Sequence, residues 1–271
     1  MELAPGIHRI TVGTATPGLY PTNSYLVLGQ RAAAFVDTGW DRDVQARLDY
    51  WEGLGKPPVA WIVITHRHPD HMGGAAALHR ATGAAIVTHP QEREPVEARL
   101  PEGVRVGHLA GDGEVLELGG VGLELVHAPG HTLGSLAVFL REGRALFTGD
   151  NVRGAGTTVV NPGEGDIALY LETLERLKGY NAQVIYPGHG SPVRDPRSKR
   201  DGLIQHRRER EAQVVEALQG GPRTADDLVA LIYPELEPRL LTLARNQVLS
   251  HLAKLEREGR VASRDGVYRL A

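Results

Sequence analysis

Thr65-His66-Arg67-His68-Pro69-Asp70-His71-Met72-Gly73-Gly74 is the stretch that decides how this chain is read. It follows Val59-Ala60-Trp61-Ile62-Val63-Ile64, a short, apolar, β-branched run with the character of a buried strand. It precedes Ala75-Ala76-Ala77-Leu78-His79-Arg80-Ala81, which has the pattern of a helix closed by Gly83. Three histidines and one aspartate therefore crowd into six residues at a strand-to-helix turn. Imidazole and carboxylate are ligands that suit Zn, Mn or Fe. At a strand tip, alternate side chains of a tight turn converge on one point, as metal binding requires. A merely solvated loop would need no matching groups elsewhere, and this chain supplies them.

Working outward, other short strands end in the same manner. Residues 7–12 alternate apolar and polar as a half-buried strand does, and residues 13–21 form a loop punctuated by Gly and Pro. Residues 23–28 and 32–36 flank Gly29-Gln30 as a hairpin, and the second ends in Asp37-Thr38-Gly39. Asp37 is placed either to brace a ligand histidine or to cap a turn. Residues 43–54 have helical spacing; residues 85–89, 123–127, 136–140, 145–147 and 183–186 read as strands. Residues 90–101 read as a polar surface segment, and 167–177 as a helix with Asp166 as its N-cap. His131, Asp150 and His189 each sit past one of these strands beside glycine, where the backbone turns sharply and approaches a ligand. His8, His79, His89, His108, His127, His206 and His251 lack that setting and are expected at the surface or in packing.

At 271 residues the chain is long enough for one large domain or a large and a small one. Its 30 basic and 33 acidic residues give no overall electrostatic case for a nucleic-acid or membrane partner. The absence of cysteine excludes disulfides, thiolate metal sites and Cys nucleophiles, so a metal here must rest on N and O ligands. Residues 1–6 lack the basic and apolar regions of a secretory signal, and no run reaches the ~20 apolar residues of a membrane span. A cytoplasmic location is expected. Seven His and Asp candidates exceed the four groups of a tetrahedral zinc site. They suit two ions ~3.5–4 Å apart that share a carboxylate and a hydroxide, with the bound water's pKa brought near 7. That points to hydrolysis by direct attack of metal-bound hydroxide.

Residues 191–202 are polar, with two prolines and several basic side chains, and read as a linker. Helical patterns follow at 203–219, at 225–233 behind Thr224, and at 239–258 with Leu240, Leu243, Val248, Leu252 and Leu255 along one side. A hairpin around Asp265-Gly266 completes a winged helix, which gives two domains, 1–200 and 201–271. The second holds 11 basic and 11 acidic residues, where a DNA-reading module usually shows a basic face. Arg245, Asn246, Gln247, His251, Lys254 and Arg257 could touch a nucleic-acid backbone or form a solvated helix side. The basic residues Arg194, Arg197, Lys199, Arg200, Arg207, Arg208 and Arg210 are the better candidates for a phosphate track.

The His-x-His-x-Asp-His run, with His131, Asp150 and His189 in this order and spacing, resembles the metallo-β-lactamase superfamily over residues 1 to about 200. The resemblance implies an α/β (α+β) fold, a four-layer αβ/βα sandwich with metals at one edge of two sheets. By position His66, His68 and His131 would hold the first metal, Asp70, His71 and His189 the second, and Asp150 would bridge. Asp70 and Asp150 are thereby the candidate catalytic carboxylates. Histidine at 68 sets the chain apart from the flavodiiron branch, and Asp150 in place of Cys sets it apart from the antibiotic-hydrolysing β-lactamases. The winged helix, with Asn23-Ser24-Tyr25-Leu26-Val27, Gly149-Asp150-Asn151 and Gly156-Thr157-Thr158, resembles the β-lactamase-like protein 2 group of single-strand-selective endoribonucleases. Glyoxalase II and the persulfide dioxygenases share much of the metal set. The expectation is a two-metal hydrolase, with Zn the first choice over Mn or Fe, that cleaves single-stranded RNA. The alternatives are a thioester or lactone hydrolase with the winged helix as lid or in dimer packing, and a ligand-sensing DNA-binding regulator.

Overall fold

The computed structural model describes residues 1–12 and 21–271; apart from Pro21, the loop expected at 13–21 lies outside the described residues. The first sheet takes seven strands in chain order: β1 (Glu2–Ala4), β2 (Ile7–Val12), β3 (Thr22–Leu28), β4 (Ala33–Val36), β5 (Val59–Val63), β6 (Ala85–Thr88) and β7 (His108–Leu109). It is antiparallel as far as β4 and parallel from there on. The parallel strands are linked by α1 (Val44–Gly53), α2 (Pro69–Met72), α3 (Ala75–Thr82) and α4 (Arg93–Glu97). The second sheet runs β12-β11-β10-β9-β8, from β8 (Val115–Glu117), β9 (Gly122–His127), β10 (Leu136–Leu140) and β11 (Ala145–Phe147) to β12 (Val184–Tyr186). Its one parallel pair, β11 and β12, is joined through α5 (Ile167–Arg176).

Each strand is short and apolar because it is covered on both faces. Side chains alternate between those faces, so Val36, Val63 and Val87 pack inward against Leu125, Val138 and Phe147 of the other sheet. Their neighbours Phe35, Ile62 and Ile86 pack outward against Trp51, Ala75 and Leu78. On the far side Val126, Leu146 and Ile185 meet Ile167, Tyr170 and Leu174. This is the four-layer helix–sheet–sheet–helix sandwich expected. The carboxyl ends of β4, β5, β11 and β12 share one edge, where the sheets are tied by Asn23 N–H to Gly188 O (2.7 Å) and Leu136 N–H to Thr65 O (2.8 Å).

The chain continues through α6 (Pro196–Gln219), β13 (Arg223–Thr224), α7 (Ala225–Ile232), α8 (Leu241–Arg257), β14 (Val261–Arg264) and β15 (Val267–Leu270). A capping box between Thr224 and Asp227 starts α7, and β13-β15-β14 form the wing. The expected linker is much shorter than read: Pro196 opens α6 at the position that tolerates a missing N–H, and Asp195 caps it through Ser198 N–H at 3.0 Å. α6 gives Leu203 and Ile204 to the core over the second sheet and Val214 and Leu218 to the winged-helix core, so the expected division at 200/201 falls inside one helix.

Three further readings change. The segment 90–101 is no plain surface loop, since Glu92 and Val96 are fully buried there. Leu240 and Leu243 are exposed, and only Val248, Leu252 and Leu255 of that series pack. The basic track is thinned: Arg200 and Arg207 are 4% and 3% exposed and donate to the Leu177 and Thr158 carbonyls, while Arg194 stays exposed. Arg197 pairs with Asp201, Arg208 with Glu175, and Lys199 donates to Gly156 O. On α8, the six candidate nucleic-acid contacts are likewise taken up inside the chain. Asn246 and Gln247 donate to Asn161 and Val160, His251 is buried, and Arg245, Lys254 and Arg257 pair with Asp226, Glu211 and Asp166. Among the described residues, no helix is long and apolar enough to cross a membrane.

Candidate metal centre

All seven candidate residues come together at the shared sheet edge. The ligand atoms of His66, His68 and His131 lie within 4.8 Å of one another, as do those of Asp70, His71 and His189, and those of His66, His71 and Asp150. β5 delivers His66 and His68, the one-turn α2 carries Asp70 and His71, and the loops after β9, β11 and β12 deliver His131, Asp150 and His189. Gly188 permits this closeness, since a Cβ there would stand 2.5 Å from His71 Cε1 and 3.0 Å from Asp150 Oδ1.

Each histidine commits its outer nitrogen to an oxygen. His71 Nδ1 donates to Asp37 Oδ2 (2.7 Å), His68 Nε2 to Glu164 Oε1 (3.0 Å) and His131 Nδ1 to Val159 O (2.6 Å). His189 Nδ1 donates to Pro21 O (3.2 Å) and His66 Nδ1 to Thr65 Oγ1 (3.0 Å), whose own proton goes to Asp37 Oδ2. These acceptors fix the tautomers and turn five lone pairs inward. His68 Nδ1 consequently faces His66 Nε2 and His131 Nε2 at 3.0 Å each, and His71 Nε2 faces His189 Nε2 at 3.3 Å. Lone pairs so close repel unless cations lie between them. Asp150 Oδ1, buried and without a hydrogen-bond partner among the described residues, completes a donor set that fits divalent metal ions.

Asp150 stands between the two groups. Its Oδ1 lies 3.4 Å from His71 Nε2 and 3.3 Å from His189 Nε2, while Oδ2 lies 4.0 Å from His131 Nε2. Burial opposes ionisation of Asp150 and Asp70, but His71 and His189 hold both carboxyls below the usual range. Burial, then the neighbouring imidazoles, push His66 well below the ordinary histidine value. Burial also pulls His131 down to about 4, against the attraction of Asp150. Burial also works against charge on His71, but Asp37, Asp70 and Asp150 outweigh it and raise that ring well above the ordinary value. The arrangement therefore offers neutral imidazoles at His66 and His131 and ionised carboxylates, the forms that bind metals, while a metal at His71 would displace a proton.

Asp37 takes the bracing role rather than the cap, at φ +58°, a conformation aspartate tolerates better than most residues. Asn23 and Tyr25 hold the His189 loop by donating to Pro187 O at 2.9 and 2.7 Å. Arg67, between two of the candidate ligands, forms a fork with the fully buried Glu92, at 2.7 and 2.8 Å. Glu164 was not legible in the sequence, being a Gly-flanked acid far from His68 along the chain. Hydrogen bonding to His68, set against burial, holds its carboxyl down to about 2.

The metallo-β-lactamase superfamily model matches residues 17–189, and the β-lactamase-associated winged-helix model matches residues 224–269. The chain belongs to the metallo-β-lactamase superfamily. It is 30% identical to a β-lactamase-like protein 2 homolog of Drosophila melanogaster, over 96% of this chain and 94% of that one. It is also 30% identical to an atrochrysone carboxyl ACP thioesterase of Aspergillus chevalieri, over 80% of this chain and 67% of the other. A solved metallo-β-lactamase family protein from Thermus thermophilus superposes over the whole of both chains with a TM-score of 0.80 at 29% identity. Superfamily members are hydrolases, and this chain is an enzyme of that class with candidate His/Asp metal ligands in place.

Proposed function

We propose a two-metal hydrolase that opens a carboxylic thioester or ester. The observation that carries the two-metal reading is Asp150, with one oxygen toward His71 and His189 and the other toward His131. His66, His68 and His131 would hold one ion, Asp70, His71 and His189 the other, and Asp150 would join them. When bound, the metal pair supplies a water acidic enough to attack at neutral pH and polarises the scissile bond. Asp70, whose side chain is 21% exposed, would help hold the second ion and, with Asp150, orient the attacking water. We take zinc as the metal because imidazoles dominate the donor set. Elemental analysis returning stoichiometric manganese or iron would replace it.

On the substrate, the reading departs from the RNA expectation because five of the seven basic residues expected to form a phosphate track (Arg197, Lys199, Arg200, Arg207 and Arg208) are buried or bonded within the chain. The thioesterase named among the relatives adds support for an acyl substrate. Single-stranded RNA is the second reading, favoured by similarity to the β-lactamase-like protein 2 homolog through both units. A cytoplasmic location and a working division into 1–200 and 201–271 belong to the same proposal. The test is metal-loaded full-length protein given acyl thioesters and end-labelled single-stranded RNA in parallel. Thioester turnover with intact RNA supports the first reading. RNA cleavage without thioester turnover overturns it in favour of the second.

A further inference from the structure

We propose that the winged-helix unit braces the metal centre, with Arg207, Gln247 and Ser250 acting as positioning residues for His131. The inference rests on the reading of His131 as a ligand. The link is the irregular segment 158–161 between β11 and α5, which has no ladder of its own and must satisfy its backbone through side chains. In an extended chain successive carbonyls point in alternate directions. Thr158 O accepts from Arg207 Nη2, and Val160 O accepts from Ser250 Oγ (2.7 Å) and Gln247 Nε2 (3.1 Å). Val159 O, between them in sequence, accepts from His131 Nδ1 at 2.6 Å. Pinning the outer two carbonyls from the winged helix therefore aims the middle one at the histidine. Thr158 Oγ1 ties the same segment to the Asp150 carbonyl at 2.7 Å.

Arg207 shows that more than packing is at stake. Its guanidinium is buried against neutral partners only: Thr158 O, Gln247 Oε1 at 2.8 Å, and the Tyr170 ring, 5.4 Å from centroid to Cζ. Its Nε has no hydrogen-bond partner among the described residues. A buried cation without a carboxylate is costly, and an apolar side chain of similar length would fill the space at no such cost. What an apolar side chain could not do is hold Thr158 O and Gln247 in register.

The test uses full-length, metal-loaded protein and reads metal release by chelator competition alongside kcat and KM. The Gln247→Ala/Ser250→Ala double variant and Arg207→Met are expected to release one of the two ions about tenfold more readily, the lower end for losing an outer partner of a ligand. kcat falls with KM little changed. Ser250→Thr, which keeps the hydroxyl, retains both ions. Arg245→Ala, which breaks an exposed ion pair on the same helix, behaves as wild type. Wild-type metal retention and kcat in the folded double variant overturn the brace, as does an equal loss in Arg245→Ala. If Arg207→Met fails to fold, the double variant decides. His131→Ala separates the two levels: unchanged metal content there removes the ligand reading and the brace together. Loss there, with full retention in the double variant, removes the brace alone.

Discussion

Glu164 shows how much of a metal site lies one atom beyond its ligands. By accepting from His68 Nε2 it leaves Nδ1 as the inward donor and adds negative charge to the ring's far side. Glu164→Ala is expected to weaken metal retention or kcat by about 10–100-fold. Glu164→Gln, which still accepts the hydrogen bond, should recover most of the retention; an alanine variant that keeps its metals through dialysis would rule the role out. Arg67 and Glu92 act on the same loop by a different route. The Glu92 carboxylate is fully buried and takes the Arg67 fork together with the Arg67 and Gly134 N–H groups. Arg67→Ala strands that charge and should cost about 3–5 kcal/mol, read by urea unfolding. The candidate ligands were legible because reactive side chains at tight spacing leave a mark in the sequence. The Val159 carbonyl leaves none, since every residue carries one.

Among the elements, the loop after β12 is limited by space. Gly188→Ala would drive a methyl group into the fully buried His71 ring and Asp150. Folded protein with metal content and activity both lost is the expected result, checked by circular dichroism and elemental analysis; a fully loaded variant would contradict it. α8 carries a different liability. Burial, then Arg207, Lys254, His206 and Arg210, push His251 down from 6.5 to about 3. The unfolded chain binds a proton there that the folded chain refuses, so this contribution is complete above pH 6.5 and is lost as pH falls toward 3. At pH 5 the loss is about 2 kcal/mol. His251→Leu should narrow the stability gap between pH 7 and pH 5 by about that amount in urea titrations. The helices themselves were mostly legible from apolar spacing. Only the first two turns of α6 were not, because Pro196 and a run of basic residues look like a linker until Arg200 is seen buried.

For the whole molecule, the sandwich presses the inner nitrogens of His66, His68 and His131, and those of His71 and His189, together, and metals held there as proposed would offset that repulsion. Stripping them with a chelator should lower the melting temperature by about 5–10 °C, if the ions are normally present near 100 times their Kd. A melting curve indifferent to chelator would mean that the cluster holds no ion. The four-layer architecture was legible because strands buried on both faces read as unbroken apolar runs. How the winged helix sits was not, because its α8 contacts are polar groups that look the same whether they face water, nucleic acid or the rest of the chain.

The 24-residue α6 also sets an order in time. During synthesis His66, His68 and His71 emerge first and His189 last among the ligands, but Ser250 follows still later. At about 5–20 residues per second, the ribosome delivers it roughly 3–12 s after His189. With the brace as proposed, a nascent chain thus holds every ligand before it can hold them firmly, and the metal centre matures only when the winged helix has been made and docked.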